Sequence, residues 1–262
     1  MPDFYFHIKL LENMFRILKI VTGLFLYCTI GTLAQKVNVL PNWALGGFVR
    51  PIGVNPVISP DSTTHFFDPM NKKNVDWESN DTFNPAATIK DGKIIVLYRA
   101  EDKAGKEIGM RTSRIGYASS TDGVNFVRRS TPVLYPDDDA QKANEWPGGC
   151  EDPRVAVTEN GLYVIFYTQW NQDKARIGVA TSTDLIKWEK HGPVFKKAFN
   201  GKFNEIWTKS GSILTKLQNG KQIIAKVNGK YWLYFGEANV NIATSSDLIN
   251  WTPVVDKNGA LL

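Results

Sequence analysis

The sequence predicts an all-β protein of the β-propeller type, and three observations predict it. From Phe83 onward, short runs of β-branched and aromatic residues alternate with turn residues: Ile94–Tyr98, Leu162–Tyr167 and Tyr231–Phe235. Each run follows a turn signal, namely Asp91-Gly92, Asn160-Gly161 and Asn228-Gly229, so each reads as a strand entered from a hairpin. A repeat supplies the third observation. A strand, a Ser-x-Asp turn and an aromatic recur as Ala118…Asp122…Phe126, Ala180…Asp184…Trp188 and Ala243…Asp247…Trp251, with 62 residues between the first two alanines and 63 between the next two. No long segment keeps a helical period.

Each element of the repeat has a physical reason. An Asp in such a turn can accept hydrogen bonds from the backbone amides that follow it, and an aromatic after the turn fills the gap between neighbouring sheets. Asp122, Asp184 and Asp247 therefore read as scaffold residues. Three blades are visible, whereas propellers close with about four to eight. The expectation is a ring cut short, with residues 35–262 forming an incomplete propeller.

The residues before the repeat read differently. Arg16 and Lys19 precede an apolar run from Ile20 to Ile30, and Thr32-Leu33-Ala34 provides small residues for cleavage, the layout of a secretory signal peptide over residues 1–34. Met14 is an alternative start. The apolar run is short for a membrane span, and Tyr27 before Cys28 is too bulky for lipoprotein processing, so no membrane anchor is expected. The expected location is periplasmic or extracellular. Residues 35–80 are rich in Pro, Asn and Asp and read as an irregular lead-in.

Composition narrows the function. The formal charge of +5 comes from 31 basic and 26 acidic residues and is concentrated nowhere, so nucleic acid is not an expected partner. Beyond the signal, Cys150 is the only cysteine, which leaves no internal disulfide. His7, His65 and His191 are scattered, so no metal site and no Ser-His-Asp arrangement is supported, and no cofactor is expected.

The densest polar cluster falls where the repeat is least regular, at Trp146-Pro147-Gly148-Gly149-Cys150-Glu151-Asp152-Pro153-Arg154. Two glycines allow a close backbone approach, by a ligand in this reading. Two adjacent carboxylates then share a proline-fixed turn with an arginine, which would present Asp152 to a central cavity. Gly-Gly-x-Glu-Asp-Pro-Arg is preceded by Phe83-Asn84-Pro85-Ala86-Ala87, Tyr98-Arg99-Ala100-Glu101-Asp102 and Ser113-Arg114-Ile115-Gly116. In these four ordered motifs the chain resembles the glycoside hydrolase family that contains the β-mannoside phosphorylases and β-1,2-mannosidases. The resemblance implies a five-bladed propeller acting on mannose-containing oligosaccharides, with Asp152 as the general acid. In the phosphorylases that acid delivers its proton to the leaving oxygen through a sugar hydroxyl. The resemblance also implies that Asn84, Arg99, Asp102, Arg114 and Arg154 line the pocket for the terminal mannose.

An inverting hydrolase needs a second carboxylate to activate water, roughly 6.5–9.5 Å from the acid, whereas a phosphorylase gathers basic residues around phosphate. Glu205 and Glu237 are the candidate bases, and Lys209 lies beside them as a candidate substrate ligand. Glu237 stands where the phosphorylases tend to carry a basic pair, which favours hydrolysis, as does export. Phosphorolysis and a non-catalytic sugar-binding propeller remain as alternatives. Trp146, Trp170 and Trp207 lie outside the repeated aromatic position, where either sugar stacking or core packing accounts for them.

Overall fold

The computed structural model describes residues 50–218 and 221–262. The signal-peptide reading falls outside the described residues. Within them the chain is all-β, with seventeen strands, one four-residue α-helix (Lys142–Glu145) and one 3-10 segment (Ala198–Asn204).

The lead-in is more ordered than its composition predicts. Strands β1 (Phe66–Asp68) and β2 (Lys73–Val75) pair as a hairpin. Asp68 makes the turn, its Oδ1 accepting the amides of Met70 and Asn71, both at 2.8 Å. Such a side-chain-to-backbone turn needs one well-placed Asp, which composition alone does not reveal.

Three antiparallel meanders follow. The first runs β3 (Asp81–Lys90), β4 (Lys93–Glu101), β5 (Ser113–Ser120) and β6 (Val127–Arg128). The second runs β7 (Gly149–Val157), β8 (Tyr163–Trp170), β9 (Ala175–Ser182) and β10 (Glu189–Pro193). In the third, β11 (Ser212–Ile213), a hairpin of β12 (Thr215–Gln218) and β13 (Lys221–Ile224), and β14 (Lys226–Val227) lead into β15 (Lys230–Phe235), β16 (Asn241–Ser245) and β17 (Trp251–Pro253). The strand runs read from sequence fall within β4, β8 and β15, save Leu162, one residue ahead of β8.

The repeated turn works as its residue types require. Asp122 accepts the amides of Val124 and Asn125, Asp184 those of Ile186 and Lys187, and Asp247 those of Ile249 and Asn250, all at 2.7–2.9 Å. Amides of Asn125 and then Val124 hold the Asp122 carboxyl well below its ordinary value. The aromatic that follows each turn enters the core shared with the preceding layer. Phe126 packs with Phe66, Trp77 and Tyr98 of the lead-in and first meander. Trp188 packs on the core between the first and second meanders, and Trp251 lies in the core between the second and third, with Phe166 edge-on at 5.6 Å.

One backbone device recurs on the leading strand of all three meanders. Register slips between Phe83 and Ala86 against β4, and between Glu151 and Arg154 against β8. In the third meander Ser212 pairs with Tyr234, while the Lys209 carbonyl accepts the Gly236 amide. Asn84, Asp152 and Ser210 sit inside these bulges with φ of +44°, +48° and +57°. A bulge of this kind re-aims a side chain at the end of a strand, and Asn and Asp tolerate the left-handed region better than most residues. The leading strands also enclose a cavity of about 310 Å³ lined by Ala86, Arg154, Ala156 and Ser212 among others.

Candidate active site

Asp152 is presented by the second meander and held by the first. Its Oδ1 accepts hydrogen bonds from Asn84 Nδ2 at 2.7 Å and from Arg99 at 3.1 Å. Among the described residues its Oδ2 has no protein partner, and about 17% of the side chain is exposed. One oxygen is tethered and the other faces outward. That is the disposition of a group that can hand a proton to a ligand.

Arg99 is the hub. It is buried on β4, with Nε on Ser113 Oγ at 3.0 Å, Nη1 on Asp152, and Nη2 shared between Glu101 at 2.6 Å and Glu151 at 2.8 Å. Glu101 in turn pairs with Arg111 at 3.1 Å, and Arg111 also contacts Asp81. A planar guanidinium with five donors suits a site where several carboxylates must be fixed at once.

Glu151 carries the largest resolved electrostatic perturbation here. Burial pushes its carboxyl up to about 7, against the pull of Arg99 and of Lys209, whose Nζ lies 3.8 Å from Oε2. The sequence offered Glu151 as half of a carboxylate pair but gave no sign of its burial. Glu101 and Ser113 were likewise legible only as parts of motifs, and Arg111 lies outside all of them.

The remaining predicted residues separate. Arg114 is completely buried, bonded to Asp102 at 2.8 Å and to Asp68 of the lead-in hairpin. Arg154 is exposed and lines the cavity among the leading strands. Glu205 is tied to Lys174 at 2.9 Å and Arg176 at 3.6 Å, and hydrogen bonds from Lys174 and Asn204 lower its carboxyl pKa. Glu237 is exposed in the bend after β15 and makes no ion pair among the described residues. It follows Gly236, whose amide bonds to Lys209, so it rises from the same rim as Lys209.

Gly148 and Gly149 admit protein rather than a ligand. A Cβ on Gly148 would meet the Trp170 indole at 2.2 Å, and one on Gly149 would meet the Ser113 carbonyl at 2.1 Å. Trp170 and Trp207 form a tilted pair with centroids 5.2 Å apart, and Lys209 Nζ stands 5.8 Å from the Trp207 ring.

A half-tethered carboxyl group and a buried arginine hub thus lie on an all-β scaffold, with an exposed indole linked to them through Lys209. Comparison with known proteins shows the family. Residues 52–259 match the family model described as beta-1,4-mannooligosaccharide phosphorylase, and the chain belongs to this family, glycoside hydrolase family 130. A 1,2-beta-oligomannan phosphorylase of Thermoanaerobacter sp. is 36% identical over 191 residues, covering 70% of this chain and 55% of the relative. The structure of a glycosyl hydrolase from Bacteroides ovatus superposes with a TM-score of 0.83 at 63% identity, covering 86% of this chain and 62% of that one. A second structure, reported with the finding that this family of mannoside phosphorylases contains glycoside hydrolases targeting beta-1,2 mannosidic linkages in Candida mannan, gives a TM-score of 0.83 at 63% identity over 86% of this chain and 63% of that one. The chain thus spans about half to two thirds of the length of these relatives.

Proposed function

We propose that the three meanders are consecutive blades of a five-bladed propeller and that the protein is an exported, inverting hydrolase of β-linked mannosides, with β-1,2-mannobiose as a representative substrate. The observation that carries the reading is the seat of Asp152. Asn84 and Arg99 hold one carboxyl oxygen, which leaves the other to protonate the leaving oxygen directly or through a sugar hydroxyl. Water then attacks the anomeric carbon from the opposite face and gives its proton to a base.

Glu237 is the better candidate for that base. Glu205 is occupied by Lys174, Arg176 and Asn204, whereas Glu237 is exposed and unpaired among the described residues. The choice of water over phosphate rests on Glu237 and on 63% identity to a protein described as a glycosyl hydrolase, against 36% to one described as a phosphorylase. Phosphorolysis of the same linkage is the second reading, favoured by the family description and by Lys209 at the rim.

The test is product identity from β-1,2-mannobiose with and without phosphate. Hydrolysis yields mannose at the same rate in both, and Glu237→Gln lowers that rate by roughly 10²–10⁴ while Glu205→Gln changes it little. Mannose 1-phosphate formed only when phosphate is present would replace hydrolysis by phosphorolysis.

A further inference from the structure

Trp207 is the large aromatic in this region that packing does not explain. It is 49% exposed, although its neighbour Ile206 packs against the core. Its partner is rigid. Trp170 donates Nε1–H to the Gly109 carbonyl at 2.7 Å and lies flush on Gly148, where a side chain would collide with it. Trp170 therefore fixes one side of Trp207 and leaves the rest of the indole to solvent.

The surroundings tie this surface to the acid. Lys209 stands over the Trp207 ring and reaches Glu151, the residue before Asp152. Lys209 Nζ thus stands between the indole, 5.8 Å away, and the acid's neighbour Glu151, 3.8 Å away. An indole face presents apolar area to the C–H face of a pyranose, and the lysine beside it offers a donor to the ring's hydroxyls. Ile108 and Met110, both exposed, belong to the loop that holds Trp170 and extend the apolar surface.

We infer that Trp207 is the stacking platform for the sugar on the leaving side of the cleaved bond, with Trp170 as its support and Lys209 as a hydrogen-bonding companion. The inference rests on the proposed action on β-mannosides and adds where the second sugar lies. Loss of such a platform is expected to weaken binding by roughly tenfold, which corresponds to about 1.4 kcal/mol.

The experiment compares Trp207→Ala and Trp207→Phe on two substrates, β-1,2-mannobiose and β-mannosyl fluoride, whose leaving group is not a sugar. Trp207→Ala should lower kcat/KM for mannobiose about tenfold, chiefly through KM, and leave the fluoride unchanged. Trp207→Phe should recover most of the loss. Equal losses on both substrates, or none on mannobiose, would overturn the platform. Should the protein turn over no mannoside, titration of intrinsic tryptophan fluorescence with mannobiose separates the two ideas. A response lost in Trp207→Ala keeps the platform without the reaction, and no response removes both.

Discussion

At the scale of single residues, the account turns on how Arg99 distributes three carboxylates. Glu101 and Glu151 occupy one nitrogen and Asp152 the other. Replacing such a hub would leave buried charges unpaired, which costs far more than the pairs themselves contribute. Glu151 gives this cluster a titration within the neutral range. Folded Glu151 holds its proton up to about 7, whereas the unfolded chain releases it near the ordinary 4.5. Between those values the folded state binds the extra proton, so the stability contributed by neutral Glu151 is present below 4.5 and lost as pH rises to about 7. Glu151→Gln should remove this component. The melting temperature of the wild type should fall relative to the variant between pH 5 and 8, and parallel curves would contradict the assignment. Asp152, Asn84 and Arg99 were legible in the sequence because each lies in a contiguous motif. The environment of Glu151 was not, because its partner Arg99 lies on another meander 52 residues away, and Asp68 gave no signal because its partner Arg114 lies 46 residues away.

At the scale of elements, the fold repeats two local devices. The Ser-x-Asp turn was legible in full, since its hydrogen bonds are confined to five or six consecutive residues. The bulge on the leading strands was not, because a register slip is defined only once the partner strand is known. Asn84-Pro85 and Asp152-Pro153 are visible as related dipeptides, but Ser210-Gly211 gives no hint that it occupies the same position. The bulge makes a direct prediction. A non-glycine residue in the left-handed region costs about 1–2 kcal/mol, and glycine costs about 0.5–1 kcal/mol in unfolded-state entropy. Ser210→Gly should therefore be as stable as the wild type or up to about 1 kcal/mol more stable. Ser210→Val should lose about 1–2 kcal/mol, both read from denaturant unfolding. The opposite order would show that φ at Ser210 is not what constrains the third meander.

At the scale of the molecule, the candidate site exists only where successive meanders meet. Asp152 comes from the second meander, its tethers Asn84 and Arg99 from the first, and Lys209 from the segment leading into the third. The aromatic cores between successive layers hold these groups in register, which explains why one repeat carries the scaffold and its irregular stretch carries the chemistry. The sequence disclosed the all-β class and the repeat, since both follow from local patterns. Which face of each strand meets its neighbour is a matter of packing, and so the burial of Arg114 against Asp102 and Asp68 and the place of Arg154 in the cavity lining emerged only from the fold. The central claim is that Asp152 supplies the proton to the leaving oxygen. Its most direct test is the kcat of Asp152→Asn on β-1,2-mannobiose, because Asn keeps the left-handed bulge and can still bond to Arg99 but has no acidic proton. The account predicts a fall of roughly 10²–10⁴ in kcat with mannobiose binding retained; a variant within a fewfold of the wild type would contradict it.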